Sequence, residues 1–222
     1  MLGDERPDRP TALRRAVLGV VVDVDDTLVL TATTGFRKCV ETAGRLGLQP
    51  PTHEQFAASY GTLSFDDCVR TWHGDVDADT YRAVYDGLAD AVPAVPVGGV
   101  AALVARCRAS GLRVAVLTNG PADKTRRKLA VCGLEADALD GVWDGDSLEH
   151  CKPDPRCFDA VVSAWRLPRR SLLYVGDAPV DRDAALHAGL LFVGVRTGPR
   201  KEELSGCAMR PSVLEVLGEL SG

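Results

Sequence analysis

The chain has 222 residues, of which 45% are hydrophobic, which is ample for one α/β domain or for a domain that carries an insertion. A net charge of −5, with no basic stripe and only 5% aromatic residues, argues against a nucleic-acid-binding protein. No segment is predicted to span a membrane. The seven cysteines form no C-x-x-C pair and are odd in number, so reduced thiols and a cytoplasmic location are expected.

Residues 1–15 are polar and contain proline, and they are predicted to form a flexible N-terminal segment. The apolar run Ala16–Val22 is too short for a signal peptide and is predicted to be the first β-strand. Asp23 and Asp25 follow this run directly. In open α/β folds such a position brings both carboxylates to the carboxyl edge of the sheet, where ligands bind. The competing interpretation is a solvated turn that includes Asp26.

Residues 32–96 differ from the rest of the chain because no strand is evident and helical periodicity prevails. This pattern predicts a separate, small all-helical domain. Its helices are predicted at Phe36–Leu46, His53–Tyr60, Ser64–Trp72 and Asp79–Ala91.

From residue 97 onward, strands and helices alternate as far as Leu220, and such alternation indicates a parallel sheet. Gly111 and Gly133 are predicted to end the first two helices of this part. Its first elements are helix Gly98–Ser110, strand Arg113–Leu117 and helix Ala122–Cys132.

Polar residues also follow later strands of the predicted sheet. Thr118 and Asn119 follow Leu117, and a hydroxyl beside the backbone amides of a turn suits a phosphate group. A simple helix start at Asn119 is the alternative. Lys152 precedes Pro153-Asp-Pro155, which opens a helix, and its compact charge suits a phosphate oxygen and a nearby carboxylate.

Asp177 ends the apolar run Leu172–Gly176, and Asp181 lies four positions later at the start of a helix. On local grounds Asp181 is as well explained by an N-terminal helix cap as by a metal-binding role. Aspartates that converge on one point supply the hard oxygen ligands that Mg²⁺ prefers.

Together these four segments resemble, in order and in separation, the four motifs of the haloacid dehalogenase superfamily, and specifically its capped, phosphoglycolate phosphatase-like branch. The resemblance implies a Rossmann-like three-layer core formed by residues 16–31 and 97–222, with residues 32–96 as the helical cap. Two details depart from the common pattern. The spacing from Asp177 to Asp181 is short, and Asp26 stands where many relatives carry glycine.

The resemblance also implies a role for each motif residue. Asp23 is similar to the nucleophile that becomes phosphorylated, and Asp25 to the general acid and base, whose backbone carbonyl also contacts the metal. Thr118 and Lys152 are implied to bind the transferring phosphoryl group, with Asn119 beside them. The implied Mg²⁺ ligands are Asp23, Asp25, Asp177 and Asp181.

The expected function is Mg²⁺-dependent hydrolysis of a small phosphorylated metabolite through an aspartyl phosphate. Asp25 favours a phosphatase over a 2-haloacid dehalogenase, because a departing halide needs no proton. A phosphomutase of the β-phosphoglucomutase type would use the same residues, and a non-catalytic module that binds a phosphorylated ligand is the remaining alternative. A monomer or homodimer that binds neither nucleic acid nor membrane is expected.

Overall fold

The computed structural model describes residues 17–221, except for the side chain of Ala136. The predicted flexible segment, residues 1–15, lies outside the described residues, as does Ala16 of the predicted first strand. The chain divides into two compact units. One contains residues 30–95, and the other contains residues 17–29 and 96–221.

The larger unit contains a six-stranded sheet with strand order β3-β2-β1-β4-β5-β6, in which all neighbouring strands are parallel. The strand order reverses between β1 and β4, and open α/β sheets bind ligands at such a switch point, beyond the carboxyl ends of the strands. The predicted Rossmann-like α/β class is confirmed. The strands are β1 (Gly19–Val22), β2 (Arg113–Leu117), β3 (Val142–Trp143), β4 (Leu172–Gly176), β5 (Leu191–Val195) and β6 (Met209–Arg210).

Nine α-helices lie in the described part of the chain, four in the smaller unit and five in the larger one. None of the helices in residues 17–221 is long and apolar enough to cross a membrane. The smaller unit contains α1 (Thr31–Arg45), α2 (His53–Ser59), α3 (Phe65–His73) and α4 (Ala78–Asp86). The larger unit contains α5 (Val100–Ala109), α6 (Ala122–Val131), α7 (Asp159–Trp165), α8 (Pro179–His187) and α9 (Val213–Ser221).

The central strands are buried on both faces, as expected for a parallel sheet that helices cover on each side. Alternate side chains of a strand point to opposite faces, so Leu172 and Tyr174 of β4 share one face. They pack in one core cluster with Phe158 and with Trp165 of α7 and Ala184 of α8. This packing fixes the position of the strand ends that carry the polar residues.

The smaller unit is all-helical, and polar caps begin three of its helices. The side chains of Thr52, Ser64 and Asp77 accept hydrogen bonds from the first turns of α2, α3 and α4. Aromatic contacts join these helices, and the rings of Phe36 and His53 stack with centroids 3.7 Å apart.

Two helix boundaries in this unit were predicted wrongly. Helix α1 begins at Thr31 and not at Phe36, because Thr-Ala-Thr-Thr-Gly lacks the apolar periodicity on which the prediction depended. Helix α4 ends at Asp86 and not at Ala91, because Gly87 forms its C-cap and turns follow. The other predicted helices agree with the structure to within two residues at each end.

Candidate active site

The carboxyl ends of β1 and β4 bring Asp23 and Asp177 to the switch point of the sheet. Asp23 follows Val22, and its backbone N–H donates to the carbonyl of Val175, which ties the end of β1 to β4. Both aspartates are buried. The alternative of a solvated turn is therefore wrong for Asp23.

Beyond Asp23 the chain makes a tight turn that carries Asp25. The N–H groups of Leu28 and Val29 both donate to the carbonyl of Val24. Asp26 has a φ of 53°, a left-handed conformation that glycine adopts most readily and that aspartate tolerates better than most residues. The side chain of Asp25 is 33% exposed, whereas that of Asp23 is 6% exposed. Asp25 thus stands at the accessible side of the site.

Lys152 supplies a buried cation to the site, and its side chain is 4% exposed. Its Nζ donates three hydrogen bonds, to Asp23 Oδ1 at 2.6 Å, to Asp181 Oδ1 at 2.7 Å and to the Tyr174 hydroxyl at 2.8 Å. An ammonium has three hydrogens, so these acceptors fix its orientation. Tyr174 was not predicted as part of the site, because in sequence it is one apolar position of strand β4.

The segment that follows β2 holds the backbone of Lys152. Asn119 Nδ2 donates to the carbonyl of Lys152, and the N–H of Lys152 donates to Asn119 Oδ1, both at 2.9 Å. Both polar atoms of the Asn119 side chain are therefore engaged with the backbone of Lys152. Phosphate binding by Asn119 stays a prediction, and it concerns the backbone amide of this residue. The buried hydroxyl of Thr118 accepts a hydrogen bond from the N–H of Gly120 at 3.1 Å, which leaves the hydroxyl hydrogen as a donor.

Asp181 caps helix α8 and also contacts Lys152, while its metal-binding role stays a prediction. Its Oδ2 accepts a hydrogen bond from the N–H of Ala178 at 2.9 Å, as a capping residue of α8 does. Its Oδ1 accepts from Lys152, and the residue is 1% exposed. The cap orients the carboxylate so that its second oxygen faces the interior of the site.

Asp23, Asp177 and Asp181 form a cluster of buried carboxylates. Each offers one oxygen, and these oxygens lie within 4.8 Å of one another. Such a set supplies hard oxygen ligands suited to Mg²⁺. The carboxylate of Asp25 is outside this set, so a contribution of Asp25 to a metal concerns its backbone carbonyl and stays a prediction.

The electrostatics of the cluster favour a bound cation. Burial raises the pKa of Asp23 to about 7; the Lys152 ammonium opposes this rise, whereas Asp181 and Asp25 add to it. Burial, followed by repulsion from Asp181 and Asp23, raises the pKa of Asp177 well above its usual range. Burial disfavours the charged form of Lys152, but the carboxylates of Asp181 and Asp23 outweigh it and raise the pKa of the ammonium. One ammonium among three crowded carboxylates leaves negative charge that a divalent cation would neutralise.

Comparison with known proteins agrees with this arrangement. A family model described as haloacid dehalogenase-like hydrolase matches residues 17–189. A phosphoglycolate phosphatase from Cereibacter sphaeroides is 34% identical over 128 residues, which are 58% of this chain and 52% of the relative, so the match spans about half of that relative's length. A phosphoglycolate phosphatase from Rhodobacter capsulatus is 28% identical over 193 residues, covering 83% of this chain and 87% of the relative.

Among solved structures, CbbY from Rhodobacter sphaeroides in complex with phosphate is similar in fold, with a TM-score of 0.71 at 22% identity. The similarity covers 93% of this chain and 100% of that one. The family match from residue 17 to residue 189 contains all four polar segments, from Asp23 to Asp181. The chain therefore belongs to the haloacid dehalogenase-like hydrolases.

Proposed function

We propose that the protein is a Mg²⁺-dependent phosphatase that hydrolyses a small phosphate monoester through an aspartyl phosphate at Asp23. The observation that carries the proposal is the buried Lys152 ammonium, which joins Asp23 and Asp181 beside Asp177. Both relatives described above are named phosphoglycolate phosphatase, which makes phosphoglycolate the first compound to test.

The proposed reaction has two displacements at phosphorus. In the first, an oxygen of Asp23 forms a bond to phosphorus while the bond to the alcohol oxygen breaks, and Asp25 gives its proton to that oxygen. In the second, Asp25 takes a proton from a water molecule whose oxygen attacks phosphorus, and the bond to Asp23 breaks. The products are the alcohol and inorganic phosphate, and both aspartates regain their starting states.

Two side chains are proposed to stabilise the phosphoryl group during both steps. The Thr118 hydroxyl would donate to one of its oxygens, and another phosphoryl oxygen would replace one of the three present acceptors of the Lys152 ammonium. The proposed Mg²⁺ would be held by Asp23, Asp177 and Asp181, and when bound it supplies positive charge that offsets repulsion between carboxylate and phosphate.

We also propose that the helical unit Leu30–Val95 is a cap that selects the substrate. Both of its connections leave the larger unit at one place, because Val29 and Pro96 pair in a β-bridge. Val29 also pairs with Asp25, so the insertion begins beside the proposed general acid. Domains that close over an active site exclude water and contribute to the choice of substrate.

The test of the function is phosphate release from a panel of phosphorylated metabolites and p-nitrophenyl phosphate, with Mg²⁺ and with EDTA. We expect release with Mg²⁺ and loss of nearly all of it with EDTA, restored by excess Mg²⁺. Equal release with EDTA would contradict the metal requirement. Formation of an isomerised sugar phosphate without free phosphate would identify a mutase. Chloride release from 2-chloropropionate without Mg²⁺ would identify a dehalogenase.

Gly198 offers a second test of the proposed metal site. A Cβ atom added at Gly198 would clash with the side chain of Asp177, so in Gly198→Ala that side chain or the backbone at residue 198 must shift. We expect Mg²⁺ affinity, measured by titration calorimetry, to fall by roughly 10- to 100-fold, as when a group that orients a ligand is lost. The matched control is Gly218→Ala in α9, where an added Cβ meets nothing within 4 Å. Unchanged Mg²⁺ affinity in Gly198→Ala would argue against Asp177 as a ligand.

A further inference from the structure

The side chain of Asp25 is only partly buried, so its polar contacts help to set its orientation. Asp25 lies on the turn that follows β1, and its side chain is one-third exposed. A general acid must point one oxygen at the leaving group, and an error of about 1 Å in such a placement can cost about 100-fold in rate.

Lys128 contacts Asp25 from a helix outside the four motifs. Helix α6 begins at Ala122, and Lys128 follows six residues later. The helix is fixed by its buried residues Thr125 and Leu129. The Lys128 ammonium donates to Asp25 Oδ1, and the side chain is only 19% exposed. Lys124, one turn earlier on the same helix, is exposed.

The second oxygen of Asp25 faces the segment proposed to bind phosphate. A Cβ atom added at Gly120 would lie 3.6 Å from Asp25 Oδ2 and 3.5 Å from Thr118 Oγ1. Asp25 Oδ2 and the Thr118 hydroxyl therefore border the same small space beside Gly120. The two oxygens of Asp25 are thus divided, with Oδ1 on Lys128 and Oδ2 on the side of Thr118.

We propose that Lys128 is a positioning residue that holds Oδ1 of Asp25, so that Oδ2 is the oxygen that exchanges protons with the leaving alcohol and the attacking water. An ammonium can only donate hydrogen bonds, so Oδ1 stays an acceptor and the transferable proton resides on Oδ2. This inference rests on the proposed phosphatase function. Lys128 has no covalent role, and its ammonium keeps its hydrogens throughout.

The test compares two substrates that differ in their need for a proton. The first is an alkyl phosphate that the wild-type protein hydrolyses, and its leaving oxygen must be protonated. The second is p-nitrophenyl phosphate, whose p-nitrophenolate leaves as an anion. In Lys128→Met and Lys128→Gln we expect kcat for the alkyl phosphate to fall about 10- to 100-fold with KM within about 3-fold. The first-turnover burst of p-nitrophenol should keep its amplitude, and the later steady state should slow, because water attack still uses Asp25.

Two controls separate positioning from structural damage. Lys124→Met removes an exposed lysine from the same helix and is expected to match the wild type. Lys128→Arg keeps a cation at the position and is expected to regain part of the lost kcat. Thermal unfolding of all four variants should stay close to that of the wild type, because the Lys128–Asp25 pair is partly exposed.

Each contrary result has a distinct meaning. A rise in KM with unchanged kcat would overturn the inference, because Lys128 would then bind substrate. Equal loss of the p-nitrophenol burst and of alkyl phosphate turnover, or no change in either, would also overturn it. These outcomes leave the phosphatase intact, whereas a wild-type protein that releases no phosphate from any compound would overturn the proposed function and this inference together.

Discussion

The Asp23→Asn protein is expected to release phosphate at a rate on the order of 10⁴-fold or more below that of the wild type. An uncharged amide is a far weaker nucleophile than the carboxylate that it replaces, so the aspartyl phosphate cannot form at this position. The measurement is phosphate release with Mg²⁺ at saturating substrate. Burial raises the pKa of Asp23, which means that its charged form is costly to bury, so we expect the Asp23→Asn protein to fold.

The matched control for this substitution is Asp123→Asn. Asp123 lies on α6 with a side chain that is 57% exposed and pairs with Arg127 at 3.6 Å. Its replacement is expected to leave turnover unchanged. Asp23→Asn protein that remains folded and turns over at a rate near that of the wild type would rule out Asp23 as the nucleophile.

Lys152→Met is expected to lower the free energy of unfolding by about 3–5 kcal/mol in metal-free buffer, besides abolishing turnover. The substitution removes the cation that compensates the buried carboxylates of Asp23 and Asp181 and leaves both without that partner. It also takes away the donor to the Tyr174 hydroxyl. Urea unfolding without Mg²⁺ measures the effect.

A second substitution distinguishes loss of charge compensation from loss of packing. In the double variant Lys152→Met with Asp181→Asn, one uncompensated charge is gone, so part of the lost stability should return. The side-chain oxygen of the introduced asparagine can still accept from the N–H of Ala178, which preserves the cap of α8. If the double variant is less stable by the full sum of both single effects, charge compensation by Lys152 is not what stabilises the site.

The main part of the site could be predicted because its residues directly follow the ends of predicted strands. Asp23 and Asp177 each come directly after a buried apolar run, and parallel strands bring their carboxyl ends to one edge. The chain order of elements showed that the sheet is parallel. The helix ends at Gly111 and Gly133 could also be predicted, because glycine is the residue that most readily adopts the positive φ that ends a helix. Both glycines have a positive φ in the structure.

Other features could not be predicted because they depend on contacts between distant parts of the chain. Lys128 lies in a basic stretch, Lys124 to Lys128, in which sequence alone does not distinguish the lysine that turns inward from its exposed neighbours. Asn119 has a side chain suited to phosphate, and only the fold shows that it clamps Lys152, 33 residues away. The local pattern at Asp181 indicates a cap and contains no sign of the distant Lys152.

The most direct measurement of the central claim is chemical trapping of the phosphorylated enzyme. Wild-type protein is mixed with Mg²⁺ and a panel substrate, quenched in acid during turnover and treated with borohydride, which reduces an acyl phosphate on aspartate to homoserine. Mass spectrometry of the peptide that contains residue 23 should show homoserine at that position, and protein without substrate should show unmodified aspartate. Active protein that yields an unmodified Asp23, or a modification at another residue, would contradict the proposed mechanism.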